Sequence, residues 1–221
     1  MPRSFDRIAR PYRWLEYLTF GPILERCRFQ FLPDLLHSRR ALVLGDGDGR
    51  FLSRLLAVNP LLHADVVDIS PAMLDLLRTR ADRIGALDRI SIHLADALTF
   101  TPSGTYDLVI THFFLDCFTT DELRSLIARI RPHLLPGARW AVSEFAIPSG
   151  PMSLLATLVV RSLYAAFRLV AGLRIRRLPD HTAALRVAGF WLIAQRRWLA
   201  GLLLSELWEF PGNQPRPEQL P

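Results

Sequence analysis

The chain has no lysine: all 27 of its basic residues are arginine. A reductase built on a Tyr-x-x-x-Lys pair is therefore excluded. The same arginine-only usage reads as a coding bias, and the +6 formal charge and pI near 10.3 are spread along the chain rather than gathered in one block. Basicity of that kind carries no case for a nucleic-acid partner, and none is expected. Cysteine is nearly absent too. Cys27 and Cys117 form no CxxC pair and have no histidine at metal-ligand spacing, so neither a disulfide framework nor a metal site is expected, and a reducing cytoplasm fits. The first residues, MPRSFDRIARPYRWLEY, put charge and proline where an export signal needs an apolar centre.

What is present is a globular composition, 221 residues of which 50% are hydrophobic, enough for one substantial core. Residues 1–40 carry apolar and aromatic positions broken at Pro11 and Pro22, which predicts short helices forming an N-terminal cap. From Ala41 the pattern alternates. Strands are expected at 41–45, 64–68, 90–95, 106–111 and 138–145, with helices at 49–58, 71–81 and 120–131. Ser70 and Pro71 supply a cap and a fixed first-turn φ for the second of these helices, and Thr119 or Thr120 starts the third. Pro136-Gly137 is expected to turn the chain into the fifth strand.

The segment 152–173, MSLLATLVVRSLYAAFRLVAGL, is the one long apolar run. Arg161 and Arg168 speak against a transmembrane span, since each costs about 2.5–3.5 kcal/mol at a helix centre. A helix buried in protein, or one lying in a membrane interface beside RIRR at 174–177, fits better, so peripheral membrane contact stays open. Two further strand-like runs around QRRW suggest an antiparallel pair at the sheet edge, followed by a Pro-rich tail over 211–221. The sum is an α/β chain: a doubly wound, seven-stranded, mostly parallel sheet with an antiparallel edge strand and an N-terminal helical cap. Its main domain runs over 41–210, with a helical lid at about 150–185. No feature of the sequence sets an oligomeric state.

Where the first strand ends, LVLGDGDGRF places glycines at 45, 47 and 49. A dinucleotide fingerprint needs its third glycine at position 50, which is Arg50. Two carboxylates beside these glycines would repel a pyrophosphate. They would welcome a ligand carrying a sulfonium and an ammonium group. LVLGDGDGRF, VVDISPAML, LADAL and YDLVITHFFLDCF, in that order, resemble the class I S-adenosylmethionine-dependent methyltransferases, over roughly residues 5–200. The nearest likeness is to the ubiquinone and menaquinone C-methyltransferases and the type 11 and type 12 small-molecule enzymes.

That resemblance implies S-adenosylmethionine as cofactor and S-adenosylhomocysteine as product. It implies that Gly45, Asp46, Gly47 and Gly49 wrap the methionine part, Asp68 accepts from the ribose hydroxyls, and Ile69 and Met73 flank the adenine. Asp96 and Ala97 would address the adenine amino edge, Thr111 and His112 would face the sulfonium, and Tyr12 would lie over the cofactor. The family's acidic residue two before the first glycine is here Val43, so Asp46 or Asp48 would take its place. His112 and Glu144 are the candidate catalytic bases, with Asp116 and His181 also near the mouth, because the C-terminal ends of strands surround the site in open α/β sheets. The expected activity is in-line methyl transfer to a small, apolar or amphipathic acceptor. The alternative is a non-catalytic, cofactor-binding or membrane-surface module.

Overall fold

The computed structural model describes residues 22–146 and 179–212. The expected lid helix over 152–173, the basic run at 174–177, Tyr12, most of the N-terminal cap and the tail beyond residue 212 lie outside them. Seven strands form one sheet: β1 (Arg40–Leu44), β2 (His63–Asp68), β3 (Ile90–Leu94), β4 (Tyr106–His112), β5 (Leu134–Phe145), β6 (Trp191–Trp198) and β7 (Leu203–Phe210). Their order is 3-2-1-4-5-7-6. The pairs among β1 to β5 are parallel, and β7 runs antiparallel between β5 and β6. The two final runs thus form the antiparallel pair that closes this edge of the sheet.

Apolar runs too short for helices make the inner strands, and both faces of those strands are covered. In β1, Leu42 and Leu44 point to one layer, with Trp140, Trp208 and the helix α4 (Thr120–Ile130), while α5 (His181–Val187) adds Ala184 and Leu185 there. Ala41 and Val43 point to the other, among Phe51, Leu52 and Leu55 of α2 (Arg50–Val58) and Leu74 and Leu77 of α3 (Pro71–Arg83). Val43 is fully buried there, so the missing acidic residue is replaced by core packing.

Side chains fix the helix starts. Ser70 Oγ accepts from the Met73 amide at 3.3 Å, and Thr119 and Glu122 form a reciprocal capping box. β5 begins earlier than the turn at Pro136-Gly137 suggested. Leu134 already pairs with Tyr106, and the irregularity falls inside the ladder, which resumes at Leu108 and Arg139 with Gly137 at φ +81°.

One helix of the cap is described, α1 (Pro22–Phe29), and it is tied to the far half of the sheet. The Cys27 carbonyl accepts from Ser143 Oγ at 3.2 Å and from Ser205 Oγ at 2.7 Å, and the Cys27 thiol donates to the Leu204 carbonyl at 3.3 Å. Burial pushes that thiol up to about 11, so it stays protonated and structural.

Candidate active site

Strand order reverses between β1 and β4, and in open α/β sheets ligands bind at the carboxyl ends of the strands at such a switch point. Here the two turns that meet are the glycine turn after β1 and the HFFLDC segment after β4. A β-carbon on Gly45 would sit 2.1 Å from Cδ2 of Phe114, and Gly45 holds φ +64°, so this position accepts glycine alone. Gly49, at φ +76°, lets Leu77 of α3 approach to 2.8 Å of the same hypothetical atom. Gly47 is different: among the described residues nothing lies within 4 Å of the space a side chain would take. The turn is thus packed against protein at its two ends and open at its middle.

The two aspartates of the turn have separate fates. Asp48 is held by Arg80 at 2.8 Å and by Arg50 at 3.0 Å, with the Arg80 Nε also donating to the Asp48 carbonyl. Asp46 accepts from the Leu52 amide at 3.1 Å. Burial dominates its surroundings and raises its carboxyl to about 7, with Asp48 adding to the rise and the Leu52 amide, Arg28 and Arg50 opposing it. A carboxyl held that close to neutrality is one that a cationic ligand would ionise.

Asp68 ends β2 beside this turn and accepts from the Ser70 amide at 2.8 Å, which fixes one of its oxygens at the start of α3. Ile69 is half-buried next to it, and Met73 lies in the first turn of α3. After β3, Asp96 is exposed and accepts from the Leu98 amide at 2.9 Å, while Ala97 is packed in the core.

At the end of β4 neighbouring residues part ways. Thr111 is fully buried and its hydroxyl accepts from Trp140 Nε1 at 2.9 Å, so its side chain belongs to the core and only its backbone faces the switch point. His112 points to the opposite layer, its ring 4.4 Å from that of Phe51 in an edge-on contact. Both of its ring nitrogens are buried without a partner among the described residues. Burial first, and Arg28 second, push this imidazole down to about 3, so it is neutral at physiological pH.

Beyond His112 the backbone makes a tight turn, with Phe113 at φ +54°. Glu144 holds that turn. Its Oε1 accepts from the amides of Phe114 at 3.0 Å and Leu115 at 2.7 Å, and its Oε2 is buried without a partner among the described residues. Burial, then the Asp116 charge, raise the Glu144 carboxyl well above its ordinary value. The residue expected as a base is thus bonded into the backbone that aims Phe114 at Gly45. His181 is also engaged: its Nε2 lies 3.0 Å from Glu206, which takes further hydrogen bonds from Gln195 and Trp208.

Two further residues shape the site: Phe114, whose place beside Phe113 suits core and pocket wall, and Arg28, which no motif marks. Phe114 covers the first glycine, and Arg28 of α1 lies with its guanidinium carbon 5.1 Å from the centre of the Phe113 ring.

A seven-stranded sheet of this order, with a glycine turn after β1, acidic residues closing β2 and following β3, and a polar residue closing β4, defines the class I methyltransferase fold. Residues 42–140, just under half of the chain, match the family described as a methyltransferase domain. Two curated relatives are similar to parts of the chain. Polyamine aminopropyltransferase 2 of Bacillus cereus is 32% identical over 108 residues, 42% of this chain and 30% of that protein. The release factor glutamine methyltransferase of Cereibacter sphaeroides is 30% identical over 154 residues, 63% of this chain and 54% of that protein. The chain therefore spans less than two thirds of the curated relatives it matches. Among solved structures, an O-methyltransferase family protein from Burkholderia thailandensis superposes with a TM-score of 0.71 at 17% identity, covering 97% of this chain and 65% of the other. These relatives do not single out the ubiquinone and menaquinone branch within the class.

Proposed function

We propose that the chain binds S-adenosylmethionine at the switch point between β1 and β4 and directs its methyl group to a small apolar or amphipathic acceptor. One observation carries the donor reading. An open glycine turn is flanked by the carboxylates Asp46 and Asp68, and the first lies where a ligand cation would ionise it. Asp46 takes the part of the acidic residue replaced by Val43, because Asp48 already has two guanidinium partners.

S-adenosylmethionine, when bound, would supply a methyl group on a sulfonium, which an acceptor nucleophile takes in line as S-adenosylhomocysteine leaves. The protein's own work is alignment and exclusion of water, which accounts for up to about 7–11 kcal/mol in well-oriented reactions. Gly45, Gly47 and Gly49 let the backbone pass close to the methionine part, and Asp46 faces its ammonium. Asp68 accepts from the ribose diol, Ile69 and Met73 flank the adenine, and Asp96 with Ala97 meets its amino edge. Thr111 contributes backbone, and His112 lines the reacting end as a neutral ring. Glu144 is a positioning residue that holds Phe114 against Gly45. Because Glu144 is bonded to the amides of Phe114 and Leu115 and His112 resists a proton, the acceptors that suit this site reach a nucleophilic form near neutral pH. Phe113, Phe145, Trp198 and Leu203, clustered at the ends of β4, β5 and β7, favour an apolar body for that acceptor.

A second reading has its own support in the likeness to an aminopropyltransferase: the same turn would hold a decarboxylated donor and pass on an aminopropyl group. A thermal-shift titration tests the site. A ligand at a hundred times its Kd adds about 2.7 kcal/mol, which at this size is about 5–10 °C in Tm. S-adenosylmethionine and S-adenosylhomocysteine should give that shift, NAD should not, and Asp68→Ala should lose it. No shift with either adenosyl compound at millimolar concentration overturns the reading. Binding without turnover on any amine, phenol, thiol or carboxylate acceptor would favour a non-catalytic module.

A further inference from the structure

Resting on the donor reading above, we propose that Arg28 recognises the carboxylate of an amino-acid sulfonium, so that the site selects the carboxylated methyl donor over the decarboxylated aminopropyl donor. The argument starts from how α1 is held. Ser143 and Ser205 grip the Cys27 carbonyl, and the Leu204 carbonyl takes the Cys27 thiol, so the helix end is fixed over β5 and β7. The next residue is Arg28. Its guanidinium carbon stands 5.1 Å from the Phe113 ring centre, directly after the end of β4 and across the switch point from the glycine turn. A ring face fixes the plane of a guanidinium and leaves its N–H edge directed outward.

Phe113 stands in the chain between His112, which ends β4, and Phe114, whose ring covers Gly45, so its contact with Arg28 brings the guanidinium to this end of the site. Arg50 and Arg80 are bound to Asp48 instead. This end of the site therefore presents the Asp46 carboxyl from the glycine turn and the Arg28 guanidinium from α1, with a buried imidazole whose two nitrogens lack partners among the described residues. A zwitterion matches that arrangement: its ammonium faces Asp46 and its carboxylate faces Arg28. The guanidinium carries five donors, so it can accept a carboxylate in addition to the contacts it makes within the protein. A donor whose side arm is aminopropyl has the ammonium and lacks the carboxylate. It would bring a positive charge into the site without the carboxylate that complements Arg28.

The test compares two ligands that differ by that carboxylate alone, S-adenosylhomocysteine and its decarboxylated analogue, by calorimetry on the full chain. The wild type should bind the first about 10–100-fold more tightly, the range expected for a charge-assisted pair. Arg28→Met should bring the ratio to within about threefold, by weakening the first compound and leaving the second unchanged. Arg28→Lys should keep part of the preference. If Arg28→Met weakens both compounds equally, the residue is structural and the proposal fails; an unchanged ratio, or a wild type that prefers the analogue, also overturns it. Binding of neither compound to the wild type is a different failure, that of the donor reading itself.

Discussion

Replacing Asp46 by asparagine should make the ligand-free protein more stable, and by an amount that depends on pH. The carboxyl is raised from 3.8 to about 7 by burial, against the Leu52 amide, Arg28 and Arg50 and with the help of Asp48. The sign follows from proton counting. Between these two values the native chain holds the Asp46 proton and the unfolded chain does not, so this group's contribution to stability falls as pH rises and levels off above about 7. At about 1.4 kcal/mol per tenfold change in proton affinity, the ionised carboxylate costs at most about 4 kcal/mol by pH 8. Asparagine keeps an oxygen for the Leu52 amide and cannot ionise. The stability difference between Asp46→Asn and wild type should therefore be small at pH 4.5 and grow by about 2–4 kcal/mol by pH 8. Urea denaturation from pH 4.5 to 8.5 measures it. Glu144, raised in the same direction, is common to both proteins and cancels. Parallel stability curves across this range would refute the reasoning. The donor side has the opposite sign: S-adenosylmethionine should bind more tightly as pH rises through 7 and release about one proton at pH 6, read by calorimetry in buffers of different ionisation enthalpy.

Glu144→Gln should keep stability to within about 1 kcal/mol, since the amide oxygen still accepts from Phe114 and Leu115, whereas Glu144→Ala strands those amides and should cost about 2–4 kcal/mol by chemical denaturation. Equal losses would mean that the charge, rather than the acceptor, matters. Thr111→Val removes the partner of Trp140 Nε1 and should cost about 1–3 kcal/mol, with donor affinity unchanged. Gly45→Ala must move the Phe114 ring and hold alanine at positive φ, so it should lower stability by at least about 1–2 kcal/mol and abolish the shift with S-adenosylhomocysteine.

Much of this architecture was legible because it rests on local rules. Leu44 and Gly45 mark the end of β1, and Ser70-Pro71 marks the start of α3 where the structure has it. The site was legible as a set of positions and less so as a set of roles. Asp46 and Asp48 look alike in GDGDG; what separates them is Arg80, 32 residues away and brought in by α3. Thr111 and His112 both sit in a strand buried on two faces, where no polar alternation tells which side chain looks toward the glycine turn. Glu144 reads as a free acid until the amides that bind it are placed. Arg28 lies in a helix whose position depends on strands more than a hundred residues later.

The grip of Ser205 on the Cys27 carbonyl joins residues 178 positions apart. During synthesis at about 5–20 residues per second, roughly 10–35 s separate the two. A nascent chain halted before Leu203 has its glycine turn and only Ser143 to hold the Cys27 carbonyl of α1, without the two contacts that β7 adds. The first helix among the described residues waits on the last strand, and a half-finished chain cannot complete the arginine side of its pocket.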